Sequence, residues 1–473
     1  MIRTRFSPSP TGNIHLGNAR AALFSDLFAA HHNGVFILRI EDTDATRSTE
    51  EFSESLQKDL HWLGVDWQEG PGVHGEYGPY WQSQRQHIYA DYYKILEEKK
   101  LIYPCFCTDQ ELALARKIQL SRGHAPRYGG TCKKLSPEDI QKRLDNGQKP
   151  AWRFSVPDDI TIDFVDTVKG PQQFKSHDIG DFIVRRADGT APFLFCNAID
   201  DALMKVSHVL RGEDHLANTP RQIMLLQTLN LHMPQYGHLS LIVGDDGSPL
   251  SKRHGSFSLH EMRSQGFLPI AIMNYLTRLG HACDTQDLLT FAELAPYFHL
   301  EKLSRSPARF DKSQLMYWQK IAVQALNVDE MWRWLGEDIQ NQIPEKKRDL
   351  FVETVKANIE FPQDAVMWAK IFFHEKAPLE ANELAVIRDA GEQFFVEAEQ
   401  AIDKYGIDLK QVLADMKQTL GVSGKKLFMP LRIALTGKEH GPELAHIAEM
   451  LGAEKMKHRL GRAVQLASGK SEA

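Results

Sequence analysis

No run of about 18 or more apolar residues occurs in this 473-residue sequence, which excludes a hydrophobic helical span of a bilayer. The N-terminal stretch is polar where a secretory signal would carry an apolar core, so neither secretion nor membrane insertion is expected, and the cytoplasm is. Cysteine is scarce: five in the chain, an odd number spread widely, which argues against a disulfide framework. No fixed-period repeat and no low-complexity tract stands out, which removes solenoid architectures. Nor does one sign of charge dominate: 56 basic against 62 acidic residues leave a formal net charge of -6. That total leaves nucleic-acid binding undecided, because local basic surface is what releases counterions from a phosphate backbone.

What is there is ordinary globular composition, 42% hydrophobic and 25% charged, in a chain long enough for two or more domains. The N-terminal segment alternates short apolar runs such as Val35–Leu38 with helix-like stretches such as Glu50–Leu63, the pattern of a parallel, doubly wound nucleotide-binding sheet. From about residue 103 to 186 the texture changes to cysteines, Gly129-Gly130, prolines and short β-like runs such as 160–165, which predicts an inserted α+β module. Strands are expected at 182–186 and 208–211, then a helix at 219–229 and a further strand at 239–243. Past Phe257 the periodicity becomes helical, at 270–279 and in long amphipathic segments from Ala322 onward, so the C-terminal third should be nearly all α.

Two stretches carry the chemistry. Ser7-Pro8-Ser9-Pro10-Thr11-Gly12-Asn13-Ile14-His15-Leu16-Gly17-Asn18 leads from an extended segment through a Pro/Gly loop into a helix-like run at 19–28. A helix N-terminus presents free N–H groups and the positive dipole end to phosphate, and a histidine there adds a donor. Gly17 lets a flat base approach the backbone. The second stretch, Leu250-Ser251-Lys252-Arg253-His254-Gly255, supplies a cation. Taken singly, His15 is a loop histidine and Lys252 a solvated lysine; together they make two halves of a nucleotide site. Separately, Cys105-Phe106-Cys107 with Tyr128-Gly129-Gly130-Thr131-Cys132 offers three thiolates and a phenolate for a tetrahedral zinc shell, with His124 as a substitute ligand. Without metal, the same cysteines are small buried hydrophobes.

The pair of stretches resembles the HIGH and KMSKS signatures of class I aminoacyl-tRNA synthetases, here His15-Leu16-Gly17-Asn18 and Pro249-Leu250-Ser251-Lys252-Arg253. More narrowly, Arg5-Phe6-Ser7-Pro8-Ser9-Pro10-Thr11-Gly12 with Leu38-Arg39-Ile40-Glu41-Asp42-Thr43-Asp44 is similar to the bacterial glutamyl-tRNA synthetases. The likeness continues through Val209-Leu210-Arg211-Gly212-Glu213-Asp214-His215 to Leu427-Phe428-Met429-Pro430-Leu431-Arg432, almost the whole chain.

The resemblance implies an α/β fold: a Rossmann-type catalytic domain (1–100 and 187–258) with an α+β insertion for the acceptor end of tRNA (101–186). A stem-contact linking domain (259–320) and an all-α anticodon-binding region (321–473) follow. It implies ATP-dependent activation of L-glutamate, with Mg2+, and transfer of the acyl group to the terminal adenosine of tRNA(Glu), by a monomer. His15 and Lys252 are then the catalytic pair, with Gly17, Asn18, Ser251 and Arg253 also on ATP. Arg5, Ser9, Glu41, Phe193, Asn197 and Arg211 line the glutamate pocket, where two guanidinium forks suit two carboxylates and one acid suits the ammonium. Without the likeness, Glu41 is a surface charge in an acidic turn and Arg211 an ordinary partner of Glu213 or Asp214.

The chain departs from the family at three points. Pro249 stands where many synthetases carry a first lysine, Phe193 where a tyrosine is common, and Lys134 where some bacterial members place a histidine ligand. In some members and in a shorter glutamylating relative, the Cys-x-Cys…Tyr-x3-Cys pattern implies zinc. The basic residues Lys425, Lys426, Arg432, Lys455, Lys457, His458, Arg459 and Arg462 fit phosphate contacts or, alternatively, a solvated helix face. Charging of tRNA(Gln), as well or instead, is the alternative within the class. A tRNA-binding paralogue that has lost catalysis is the alternative outside it.

Overall fold

A buried strand, β1 (Arg3–Phe6), leads through the Pro/Gly loop into α1 (Leu16–His31), and the chain returns as β2 (Val35–Leu38), parallel to β1 with Arg5 opposite Ile37. This computed structural model describes residues 1–44, 48–73, 75–250, 258–373 and 379–469. Residues 19–29 of α1 are all buried, so the helix has no solvent stripe and runs through the interior. By contrast α2 (Glu50–Leu63) buries one stripe, Ser53, Leu56, Leu60 and Leu63. The Thr49 side chain caps it by accepting from the Phe52 N–H at 3.2 Å, and Gly64 closes it at φ 83°, where a glycine costs nothing sterically.

After α3 (Gln86–Glu98) the insertion begins. Its three-stranded antiparallel sheet is built from β3 (Ile102–Cys105), β4 (Ala151–Phe154) and β7 (Phe182–Arg185), with β4 in the middle. Within it lie α4 (Asp109–Ser121), α5 (Pro137–Asp145), the antiparallel hairpin β5 (Thr161–Asp166) with β6 (Gly170–Lys175), and the single-turn α6 (Ser176–Ile179). Neither α4 nor α5 fully buries any residue.

The chain then re-enters the parallel region through α7 (Phe193–Leu203), β8 (His208–Gly212), α8 (Thr219–Thr228) and β9 (Gln235–Leu239). β8 and β9 pair in parallel with Arg211 opposite His238, and the Ser207 N–H donates to Arg3 O at 2.8 Å, linking this pair to β1. The sequence reading assigned no element to α7, whose apolar run carries no clear period because the helix is buried on most sides. The strand expected at 239–243 is corrected: β9 ends at Leu239, and a separate β10 (Ile242–Val243) pairs with β11 (Ala308–Arg309). The core beneath α7 is aromatic, with Phe195 stacked on Tyr93 at 4.4 Å.

The chain divides into two compact units, Met1–Ser264 with Pro269–Leu315, and Gln265–Leu268 with Met316–Ala473. The second is helical throughout its described residues; long amphipathic helices such as Glu392–Tyr405 and Ala453–Ala467 turn their apolar stripes inward. No helix among the described residues is long and apolar enough to cross a membrane.

Candidate active site

A cleft of about 700 Å3 opens where the loop after β1, the first turn of α1, α7 and the ends of β8 and β9 converge. His15 occupies the N-cap position of α1 in extended conformation (φ -84°, ψ 159°), and its side chain makes no capping bond. No acidic residue sits in the first turn, so its N–H groups and dipole face the cleft without an internal counter-charge. Gly17 and Asn18 line the same wall, and a Cβ built on Gly17 meets nothing within 4 Å. Pro249 lines the cleft too, bridged to Val243, while the Leu250 N–H donates to Ile242 O at 2.9 Å. Ser251, Lys252 and Arg253 lie outside the described residues. Ser258 bridges to His15, and the Leu259 N–H donates to Ile14 O at 2.9 Å. Pro249 and Ser258, on either side of the second stretch, therefore both stand close to the first.

The other sequence-named residues among those described, Arg5, Ser9, Glu41, Phe193, Asn197 and Arg211, also line the wall of this cleft. Glu41 is 4% exposed, so it is not the surface charge of an acidic turn. It accepts from Asn197 Nδ2 at 2.6 Å and Arg39 Nη2 at 3.3 Å. Burial pushes its carboxyl above the usual range, and Arg39, Asn197 and Arg5 offset only part of that. Arg211 pairs with neither neighbouring acid: Lys169 holds Glu213, and Asp214 faces His215. Instead its Nη2 donates to Thr219 Oγ1 and Gln222 Oε1, both at 2.8 Å, and Nη1 is buried without a hydrogen-bond partner. Burial lowers the Arg211 pKa to about 10, which leaves the group charged at neutral pH. An unsatisfied buried cation in a cleft wall is costly unless an anion completes it.

Phe193 carries no hydroxyl, and its ring packs against His215 at 5.1 Å. Burial and the nearby Arg211 push the His215 pKa down to about 4, so a neutral imidazole stands next to the phenyl ring.

Several contributors to this wall carried no role in the sequence reading. Arg39 is fully buried; burial opposes its charge, but Asp201, Asp200 and Glu41 around it hold it firmly protonated. Asp201 also accepts from Arg5 Nε at 3.2 Å, fixing the second guanidinium. Gln222 joins the two halves, passing from Arg211 to Asn197 Oδ1 at 3.0 Å. One sequence signal existed: the acidic pair Asp200-Asp201 inside an apolar run, since charges are buried only when paired.

In the insertion, the sulfurs of Cys105, Cys107 and Cys132 lie within 4.8 Å of one another, with Cys107 and Cys132 at 3.6 Å. Tyr128 Oη sits 3.5 Å from both Cys105 Sγ and Cys107 Sγ, and accepts from the Cys132 N–H at 2.8 Å. Arms of about 2.3 Å around a tetrahedral zinc give sulfur–sulfur edges of about 3.8 Å, so the four groups have the right spacing. Arg153 donates to Cys105 Sγ at 3.2 Å, favouring the thiolate.

The basic cluster of the second unit needs correction. Arg459 is 1% exposed and donates to the carbonyls of Leu435 and Ile371, tying helices together. Arg432 bonds Pro442 O, Lys455 bonds Phe372 O, and Lys457 pairs with Asp403. Lys425, Lys426 and His458 stay exposed, with Phe428 exposed beside the two lysines.

Known proteins match this chain over its full length. The family profile described as tRNA synthetases class I (E and Q), catalytic domain, matches residues 1–317, and that of an anticodon binding domain matches 291–464. Glutamate–tRNA ligase 2 of Coxiella burnetii is 54% identical over 98% of this chain and all of its own length. Glutamate–tRNA ligase 2 of Nitrosococcus oceani is 52% identical over 98% of each. Among solved structures, a glutamate tRNA ligase from Elizabethkingia meningosepticum, determined in complex with its amino acid, superposes with a TM-score of 0.88 at 28% identity, covering 98% of this chain and 99% of the other.

Proposed function

This chain belongs to the class I tRNA synthetases for glutamate and glutamine and is a glutamate–tRNA ligase, and from that premise we propose how its residues share the work. A glutamate carboxylate oxygen attacks the α-phosphorus of ATP, pyrophosphate leaves, and a ribose hydroxyl of the tRNA terminus then takes the acyl group as AMP departs. The protein does little covalent work in either step; it holds reactants in line and stabilises phosphate charge. His15 and the uncapped first turn of α1, with Gly17 and Asn18, hold the nucleotide, which brings Mg2+ as its own counter-ion. Ser251, Lys252 and Arg253 carry the remaining triphosphate contacts, since Pro249 offers none.

The single observation that carries the amino-acid assignment is the buried, unpartnered Nη1 of Arg211, in the same wall as Arg5 and the acid Glu41. Two cations receive the two substrate carboxylates, and Glu41 receives the ammonium through the network it shares with Asn197. Ser9 lines the same pocket, and Phe193 with neutral His215 closes it. In the insertion, Cys105, Cys107, Cys132 and Tyr128 hold a structural zinc, which supplies cross-linking rather than chemistry. The insertion receives the acceptor end, the second unit reads the anticodon, and the enzyme works in the cytoplasm.

The test is glutamate-dependent charging of separated glutamate and glutamine acceptor tRNAs. Charging of the glutamate acceptor is the expected result, and charging of the glutamine acceptor alone would move the assignment to tRNA(Gln). Lys252→Ala should slow ATP–pyrophosphate exchange far more than it weakens tRNA binding; equal losses would remove Lys252 from its role.

A further inference from the structure

We infer that Asp166 and His238 are positioning residues for glutamate recognition: a carboxylate–imidazole relay, begun in the inserted module, that aims the Arg211 guanidinium without neutralising it. Three of the five N–H donors of Arg211 are engaged by protein groups, Nη2 by Thr219 and Gln222 and Nε by His238 Nε2 at 3.2 Å. To accept from Nε, the imidazole must present a lone pair at Nε2, which puts its single proton on Nδ1. That atom lies 2.5 Å from Asp166 Oδ2, and both residues are fully buried. Asp166 is itself fixed as an anion: its Oδ1 accepts from the N–H groups of Val168 (2.9 Å), Lys169 (2.8 Å) and His238 (3.1 Å). The polarity of the whole line is therefore determined, from Asp166 carboxylate to Nδ1–H, and from the Nε2 lone pair to the Arg211 Nε–H. The Thr219 hydroxyl, 3.0 Å from the same Nε2, adds a second tie.

The two arginines of the pocket are held by opposite devices. Arg5 meets a carboxylate directly at Asp201, which spends part of its charge on the protein. Every side chain that touches Arg211 through a hydrogen bond is neutral: imidazole, hydroxyl and amide. Its orientation is fixed while its charge remains for the substrate, and Nη1 is the atom left over. The acid sits one imidazole away.

The relay has a backbone mount. Asp166 ends β5 of the insertion, and the Thr167 N–H donates to Tyr236 O at 2.8 Å, clamping the hairpin onto β9. Gly237, between Tyr236 and His238, leaves no room for a side chain, since a Cβ there would meet Thr167 Oγ1 at 2.4 Å. The insertion thus completes the amino-acid pocket as well as whatever it binds on its own surface.

This inference rests on the assignment of Arg211 to glutamate, and one set of variants separates the two. In ATP–pyrophosphate exchange with tRNA present, Asp166→Asn and His238→Ala should each raise KM for glutamate about ten-fold or more, with KM for ATP and kcat changed less than about three-fold. His238→Gln, whose amide oxygen can stand where Nε2 stands, should restore glutamate KM to within about three-fold of the parent. If Arg211→Lys raises glutamate KM but Asp166→Asn does not, the relay fails. If Arg211→Lys leaves glutamate KM unchanged, the pocket assignment itself fails. Should the alanine variant not fold, the 15N spectrum of histidine-labelled parent protein decides. The His238 signal, identified by its absence in His238→Gln, should show a protonated Nδ1 and a bare Nε2 at neutral pH; a protonated Nε2 overturns the relay.

Discussion

At the scale of single residues, this wall of the cleft is organised by where charge is cancelled and where it is left standing. Arg39 has the carboxylates of Asp200, Asp201 and Glu41 within 3.9 Å, so its charge is met inside the protein although its Nε makes no hydrogen bond. Arg211 hydrogen-bonds only neutral side chains, and that difference in partners, rather than an orphaned donor alone, is what suits Arg211 to an anionic ligand. Gly17 applies the same logic to space. Its backbone is ordinary helix and a Cβ there would touch nothing, so folding alone gives no reason for a glycine in the first turn of α1. Gly17→Ala should leave the protein as stable or gain up to about 1 kcal/mol from helix propensity. It should raise KM for ATP about ten-fold or more while KM for glutamate stays put, because the added methyl fills the space a nucleotide base needs. Thermal melting and exchange kinetics check the two halves, and an unchanged ATP KM removes Gly17 from the nucleotide wall.

At the scale of elements, the cysteine knuckle joins β3 to the turn at Gly130. The three sulfurs and Tyr128 Oη stand close together, so a zinc held there would supply stability that the exposed helices α4 and α5 cannot. Purified protein should carry about one zinc per chain by metal analysis. Cys107→Ser should lower that content and make the insertion more open to limited proteolysis. Tyr128→Phe should weaken zinc retention in a chelator titration while His124→Ala does not; the reverse result would give His124 the fourth position. Elements were legible in the sequence where a single local rule sets them. Thr49, the Glu50-Glu51 first turn and Gly64 bracket α2, and His15 marks the start of α1. They were not legible where burial erases periodicity, as in α7, or where long-range pairing sets a strand end, as where β10 leaves β9 to join β11. The same limit governs the site. Arg5, Glu41 and Arg211 were named through motif likeness, whereas Asp166 and His238, 72 positions apart, meet only after the insertion folds back onto β9.

At the scale of the whole molecule, a net charge of -6 has to be reconciled with a polyanionic substrate. Of the eight basic residues that the sequence grouped near the C-terminus, Arg459 is buried and Arg432, Lys455 and Lys457 bond within the second unit. The buried Arg459 cannot reach a phosphate, and Lys457 already faces a carboxylate. Exposed Lys425 and Lys426, opening the helix Lys425–Thr436 with Phe428 exposed on the next positions, offer both charge and a flat ring for an unstacked base. Replacing both lysines by alanine should weaken tRNA binding at moderate salt and flatten the slope of log K against log salt by about 1.4, at about 0.7 per single-strand phosphate contact. Phe428→Ala should weaken binding by about 1–3 kcal/mol with the slope unchanged, since stacking releases no ions. Glutamate and ATP KM values in exchange should stay within about two-fold in both cases, because the activation site belongs to the other unit. A salt slope unmoved by the double lysine change would place the phosphate contacts elsewhere on the second unit, with His458 the remaining exposed candidate among the eight. A slope that moves together with the KM values would mean that the two units share more than a substrate.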